Sequence, residues 1–473
     1  MTGSLPSVNI RSDDERGEVL LQLHSPLPHR FEIGRGQFLV VSGDCVARDG
    51  HVASVSLLVG ERNMNVELSV VPGGVCFWQA VFFDRDTMGT AVPVKARVGL
   101  AGGAVVEREL GRIHCQDVQW EPAPLSGTGN KDGMVAICMA TYNPEIPAFE
   151  RQVDSIRGQS YGNWICIVND DGTRADLWTR MRACCADDDR FMFFRNAENL
   201  GFYRNFEAVL KKVPEHVEYV AFSDQDDRWY PDKLTRLIEK LETEDALLAY
   251  SDMHIVNEAE KKLASTYWVN RKNEYRDLAV VLVANTVTGA ASLFRRSLLE
   301  YLVPFPPRVG DAFHDHWLAC VSMSIGRLAY VDAPLYSYYQ YGDSVIGHCD
   351  FIRFPMKQRI VSAARFVFRM LRPRIAGPLL KQKYASALAI YRGECRRLRL
   401  VGNTITRRCR PGGARARQLR MFDGGLKSLA MLMALHAKVL FKGQTTDDAE
   451  LRLAMGELAR MVERRRRKRH ENS

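Results

Sequence analysis

At Met134 the hydrophobic pattern of this chain changes period, and that change limits what it can fold into. The apolar runs Met134–Met139, Trp164–Val168, Phe191–Phe194, Tyr219–Phe222 and Leu247–Tyr250 are short enough for buried strands. Between them Ile146, Phe149, Val153 and Ile156, and later Leu234, Leu237, Ile238 and Leu241, recur at helical spacing. Helices are also expected through about Cys185 and over Phe202–Val213. Strand alternating with helix predicts a mostly parallel sheet covered on both faces. Ligands in such sheets gather beyond the carboxyl ends of the strands. Further on, Val280–Val287 and Ala290–Phe294 are apolar, Trp317–Ile325 reads as an apolar helix and Ala329–Val331 as a last strand.

Acidic turns sit at those strand ends. Asp224, Asp226 and Asp227 follow the Tyr219–Phe222 run, and Asp170-Asp171-Gly172 follows Trp164–Val168. Asp315, within His314-Asp-His316, precedes the Trp317–Ile325 helix. Carboxylates crowded this closely repel one another, and a divalent cation with oxygen ligands, magnesium or manganese, is the simplest compensation. The plainer alternatives are a solvated acidic turn, an ordinary Asp-Gly turn and a helix cap at Asp315. A zinc site at His314 and His316 lacks a third ligand, and residues two apart on a helix face apart.

Before Met134 the chain reads as strand after strand. Val19–Leu23, Gln37–Ala47, Ala53–Val59, Val66–Val71, Val75–Phe83, Val92–Leu100 and Val105–Ile113 are separated by Gly-rich turns. That spacing suggests an immunoglobulin-like β-sandwich over 19–116, after a flexible stretch 1–18 and before a linker 117–133. Trp78 and Phe82 are of a type that stacks on sugars, but core packing is the simpler role.

Beyond residue 350 the alphabet turns to Arg, Leu, Ala and Lys, which favours helix. Residues 351–473 carry 30 Lys+Arg against 8 Asp+Glu, a net +22, which leaves −13 of the total of +9 for residues 1–350. A basic tail on an acidic body points to an anionic partner surface. A membrane face is favoured over nucleic acid, since no nucleic-acid motif accompanies the charge. Leu426–Phe441 is a candidate for partial insertion. No run reaches the ~18 apolar residues of a membrane span. No leader pattern opens the chain, and eleven cysteines without a repeated spacing suggest reduced thiols in the cytoplasm.

Four segments together carry a family resemblance: Met139-Ala-Thr-Tyr-Asn143, Asn169-Asp-Asp-Gly172, Phe222-Ser-Asp-Gln-Asp-Asp227 with Trp229, and Thr288-Gly289 with His314-Asp-His-Trp317. On these, residues from 134 to about 347 resemble the family 2 glycosyltransferases of the GT-A (Rossmann-like) fold, most like the bacterial rhamnosyltransferases of surface polysaccharides. With the β-sandwich and the basic helical region at 351–473 read above, the chain is expected to hold three linked regions around a central α/β GT-A domain at 134–350. The resemblance implies a nucleotide-diphospho-sugar donor and a glycan or lipid-linked acceptor, and the basic tail places the expected site of action at the inner face of the plasma membrane. Ala140, Thr141, Tyr142, Asn143, Asp170, Asp171 and Asp224 would bind the nucleotide. Asp226, with Asp224, would hold the metal, Asp315 would be the general base of an inverting reaction, and Thr288, Gly289, His314, His316 and Trp317 would line the acceptor side.

One departure stands out. The related branch reads Tyr-Arg-x-His-Gly after its last strand, and here the segment is Tyr338-Tyr-Gln-Tyr-Gly342. Tyr339 and Tyr341 replace the Arg and the His, with Tyr341, His348 or Arg353 as candidate substitutes. That loss motivates a second reading, a non-catalytic carbohydrate-binding or scaffold protein with a degenerate transferase domain.

Overall fold

The structure, a computed structural model, describes residues 8–10, 19–48, 51–124, 132–269, 272–310, 313–340, 393–441, 446 and 449–471. Tyr341, His348, Arg353 and the side chains of the Arg464–Arg469 run lie outside the described residues. The chain forms two compact units, Met1–Gln119 and Trp120–Ser473.

The first unit holds two five-stranded sheets. One is ordered Val8–Ile10, Val19–Leu23, Gln37–Ala47, Gly74–Phe83, Glu67–Val71, and the other Arg30–Glu32, Val105–Gln116, Ala91–Leu100, Val52–Val59, Arg62–Asn65. Alternation decides which side chains go inward. Val19, Leu21 and Leu23 are buried while Leu20 is 49% exposed. They share one core with Phe77, Val81 and Phe83 of their own sheet and with Leu57, Val94, Ala96 and Ile113 of the other. The short strands Val8–Ile10, Arg30–Glu32 and Arg62–Asn65 lack a periodic signal, and each adds to a sheet edge.

The second unit is built on one mixed sheet. Its order is Phe191–Arg195, Trp164–Asp170, Val135–Thr141, Tyr219–Ser223, Ser292–Arg295, Leu248–Asn257, Leu328–Gln340, Arg228–Trp229, with Lys262–Ala264 paired to Leu248–Asn257. The mostly parallel sheet expected from the alternation needs correcting. The first four strands are parallel, but Ser292–Arg295 runs antiparallel to both neighbours. The short helix Leu278–Val283 precedes it. The strand leaves the short turn Gly289–Ala291 at the carboxyl end of Tyr219–Ser223 and must run backwards. The last long strand spans Leu328–Gln340, well beyond the Ala329–Val331 core of its signal, and pairs in parallel with Leu248–Asn257.

Helices at 393–409, Gly413–Leu419, Leu426–Phe441 and Ala449–Glu471 complete this unit. Several of their basic residues act as bolts. Arg408 is buried and donates to the carbonyls of Tyr301 and Leu302 at 3.1 and 3.0 Å. Arg415 donates to the Gly326 carbonyl, and Lys438 pairs with Asp277. Leu432, Leu435 and Val439 of the Leu426–Phe441 helix are buried in protein. Among the described residues no helix is long and apolar enough to cross a membrane.

Candidate active site

The order of the sheet reverses beside Val135–Thr141. From that strand the chain builds outward to Trp164–Asp170 and Phe191–Arg195, then returns to place Tyr219–Ser223 on the other flank. At such a reversal the loops that leave two neighbouring strands diverge, and the crevice between them is where open α/β sheets bind ligands. Tyr142-Asn143 leaves one strand and Asp224-Gln-Asp-Asp227 the other. Gln225 ties them: its Oε1 accepts from the Tyr142 N–H at 2.9 Å and its Nε2 donates to the Tyr142 carbonyl at 3.4 Å. The Tyr142 ring is left 52% exposed, while Ala140 is half-buried and Thr141 buried. Asn143 takes a positive φ of 42°, donates its N–H to Thr173 Oγ1 and accepts from the Arg174 N–H at Oδ1.

Asp170 and Asp171 lie beside this turn with their carboxylates inside the protein. Asp170 is fully buried, accepts from the N–H groups of Gly172 and Thr173, and pairs with Arg195 at 3.3 Å. Asp171 is 2% exposed and accepts from Asn196 Nδ2 and the N–H groups of Leu200 and Gly201, each at 2.8 Å. Three of the roughly four lone-pair sites of that carboxylate are thus occupied. Beneath them Asn169 donates to both Asn196 and Asn205, and Asn205 Nδ2 reaches the carbonyls of Thr141 and Asn169. This amide network fixes the crevice floor and brings the Asn199–Gly201 loop to its rim.

On the opposite flank four carboxylates are held above their ordinary range. Burial is the first cause in each. It pushes Asp224 up to about 7, with the charges of Asp226 and Asp315 adding. Asp226 rises to about 6 although Arg151 draws it down. Asp315 rises to about 6 against the N–H groups of His316 and Gly289. Asp227 is held well above its ordinary range by burial and by the charges of Asp224 and Asp226; its Oδ2 is buried without a partner and its Oδ1 accepts from the Tyr339 N–H at 3.4 Å. Asp315 belongs to the same region, since its neighbour His314 meets Phe222, two residues before Asp224, and its charge adds to the rise of Asp224. Asp315 stands in the first turn of the His314–Ile325 helix, and its Oδ1 accepts from Asn285 Nδ2 at 3.1 Å and the His316 N–H at 2.6 Å. Gly289 follows Thr288, which is only partly buried, at the mouth of the antiparallel strand.

The neighbours of Asp315 have a different placing. His314 stacks on Phe206 at 3.7 Å and meets Phe222 edge-on, with both ring nitrogens unpartnered. A side chain at Gly289 would come within 2.5 Å of its ring. His316 bonds the Val281 carbonyl and faces Arg397, and Trp317 donates to the Leu302 carbonyl at 3.0 Å. All three side chains are buried in packing, so they support Asp315 rather than line its open side. Burial pushes both histidines down to about 3, which keeps them neutral.

Sequence reasoning overlooked two cations. Lys233 is fully buried behind the acidic turn, its Nζ 3.6 Å from the centre of the Trp229 ring and bonded to the Ala290 carbonyl. The charges of Asp227 and Asp224 favour its protonated form, while burial pulls it well below its ordinary range. Arg151 donates to the Asp226 carbonyl at 2.7 Å and lies 3.6 Å over the Tyr339 ring. Beside Tyr339, where the resembled branch has an arginine, a guanidinium thus arrives from the helix Ile146–Arg157. Polar residues on a helix normally read as solvent-facing, so neither left a signal. Asp224 and Asp226 remain the partly exposed carboxylates of the turn. Paired hard oxygen donors of raised basicity fit a magnesium or manganese ion.

Residues 136–303 match the family model described as Glycosyl transferase family 2. Among curated relatives, an uncharacterized glycosyltransferase of Nostoc (alr2836) is 25% identical over 218 residues, 44% of this chain and 64% of that one. The Escherichia coli protein WfaP, named UDP-Glc:alpha-D-GlcNAc-diphosphoundecaprenol beta-1,3-glucosyltransferase, is 26% identical over 192 residues, 41% of this chain and 72% of its own. The chain spans 13%, 27% and 64% of the length of three of its curated relatives. The crystal structure of S. aureus TarS with UDP-GlcNAc overlays 70% of this chain and 91% of that one at 12% identity, with a TM-score of 0.37, too loose to argue from. That family match covers the turns at 140–143, 170–171, 224–227 and 288–289.

Proposed function

We propose that this chain is an inverting glycosyltransferase that moves a sugar from a nucleotide-diphospho-sugar to a glycan or lipid-linked acceptor. The observation that carries the reading is the convergence of the Tyr142 turn, Asp224 and Asp315 on one crevice at the reversal of the sheet. Tyr142 offers an exposed aromatic face for a nucleotide base, on a turn locked by Gln225 and Thr173. The Asp171 network shapes the wall behind it. Asp224 and Asp226 would hold the divalent cation, which supplies charge neutralisation to the departing diphosphate. Asp315 would accept the proton of the attacking hydroxyl, a contribution of about 10²–10⁴-fold. With Asn285 and backbone N–H groups on it, its carboxylate is held in one orientation.

The name of WfaP describes transfer from UDP-glucose to a diphosphoundecaprenol-linked sugar, which favours a lipid diphosphate acceptor. Rhamnose stays in the donor panel on the form of the acidic turn alone. We read the two sheets of the first unit as a sandwich serving glycan recognition, and the basic C-terminal helices as the side that meets anionic lipid. Incubation with UDP-glucose, UDP-GlcNAc and nucleotide-activated rhamnose, with manganese or magnesium and lipid-diphosphate sugar acceptors, tests the proposal. Transfer or slow donor hydrolysis, abolished by Asp226→Ala, is expected. No turnover with any donor, together with unchanged nucleotide binding in Asp226→Ala, sinks it. Glycan binding by the full chain that is indifferent to Asp315→Asn would instead favour the non-catalytic reading.

A further inference from the structure

We propose that the outer face of the first unit carries a zinc site made by His24, Asp44 and Cys76. The three come together through strand register. Asp44 and Cys76 are directly opposed across the ladder of Gln37–Ala47 and Gly74–Phe83, so their side chains rise on one face about 5 Å apart at Cβ. Cys45 and Phe77, one residue on, point into the core. His24 follows Val19–Leu23 and alternates outward after buried Leu21 and Leu23. Its N–H bonds the Ser42 carbonyl at 3.0 Å, which sets its ring diagonal to Asp44. Gly43 permits the close seating of that strand, since a Cβ there would lie 2.3 Å from the Gln22 carbonyl oxygen.

The geometry suits a tetrahedral ion. One ligand atom from each residue lies within 4.8 Å of the others, and His24 Nε2 is 3.2 Å from Asp44 Oδ2. Zinc bonds of about 2.0 Å to N or O and 2.3 Å to S give tetrahedral edges of about 3.3 and 3.6 Å. The His–Asp edge is therefore already formed, and Cys76 needs only a small rotation. The donor set is chemically apt as well: imidazole, carboxylate and thiolate are three common zinc ligands. Asp44 and Ser69 both act on the Cys76 thiol, burial and the Asp44 charge raising it and Ser69 lowering it. Binding would release the thiol proton to solvent and shift the imidazole proton to Nδ1. One thiolate, one carboxylate and one neutral imidazole then balance the 2+ charge, with water in the fourth position. The ion would clip three adjacent strands, and Ser69 would remain to donate to the thiolate sulfur.

Cobalt titration of the full-length, reduced, chelator-treated protein tests this. A near-ultraviolet thiolate-to-cobalt band saturating at one ion per chain, and displaced by zinc, is expected. The band should vanish in Cys76→Ser, weaken at least tenfold in affinity in His24→Ala and Asp44→Asn, and persist in Cys184→Ser and Asp226→Ala. Circular dichroism of each variant identifies any that fail to fold, and His24→Ala and Asp44→Asn decide if Cys76→Ser is among them. Absence of the band in the parent protein, or its survival in Cys76→Ser, overturns the proposal and leaves an ordinary surface His–Asp pair.

Discussion

Arg151 lies flat over Tyr339, guanidinium carbon 3.6 Å from the ring centre, while the same group donates to the Asp226 carbonyl. The contact joins the helix Ile146–Arg157 to the last long strand across the back of the acidic turn. Tyr339 is itself anchored, its hydroxyl donating to Glu260 at 3.1 Å. Arg151 therefore positions Asp226 rather than meeting substrate. Arg151→Leu should raise the cation concentration needed for half-maximal activity by roughly ten- to a hundredfold, the range for losing a charged hydrogen bond. Lysine should not rescue it, because it lacks the planar fork that stacks and donates at once. Cation titration of turnover at saturating donor checks this.

Lys233 gives a sharper case. A buried ammonium beside two buried carboxylates is one unit, and removing one partner strands the rest. Lys233→Met should destabilise the domain by about 3–5 kcal/mol. Adding Asp227→Asn should recover a substantial part, because Asp227 is the carboxylate whose charge most favours the ammonium. Urea unfolding of both single variants and the double variant closes the cycle. Additive losses would show that the two charges act independently.

That pair also shows what the sequence leaves illegible. The strand ends, the acidic turns and the two contrasting periods are local, and Val135–Thr141, Trp164–Asp170 and Tyr219–Ser223 follow directly from apolar runs. Long-range decisions are not local. Nothing in Ser292–Arg295 says that it will run antiparallel between two strands of opposite history. Lys233 at a helix start looks exposed until Trp229, Tyr336 and the Ala290 carbonyl enclose it. His314, His316 and Trp317 stand next to the candidate base in sequence, but a helix turns each to its own side and into packing. Adjacency along the chain overstated their part in the site.

The raised carboxylates predict an unusual acid-side stability profile. Asp224, Asp226 and Asp315 have folded values of about 7, 6 and 6 against an unfolded value of 3.8. Between those limits the folded state holds more protons than the unfolded one, so stability falls as pH rises through the window. The protein without cation should melt lower at pH 8 than at pH 5.5. Manganese should raise the midpoint more at pH 8, where the carboxylates are ionised and free to bind it. Thermal melts at the two pH values, with and without manganese, provide the check. An equal manganese effect at both would detach the cation from these groups.

Asp315 and Asn285 separate chemistry from positioning. Asp315→Asn keeps the shape and the N–H contacts but removes the acceptor of the hydroxyl proton. Its turnover should fall by about 10²–10⁴-fold with donor affinity little changed. Asn285→Ala leaves the carboxylate in place and takes away the 3.1 Å contact that orients it. Its loss should be smaller, roughly tenfold, as for one hydrogen bond to a charged group. The pH profile divides the two cases further. In the parent protein activity should rise with pH through about 6, as the Asp315 carboxylate is uncovered. Without Asn285, which donates to the charged form, that rise should move to higher pH. In Asp315→Asn the limb should disappear from whatever activity remains. Steady-state rates from pH 5 to 8 for the three proteins are the measurement, and an unshifted limb in Asn285→Ala would assign it to another group.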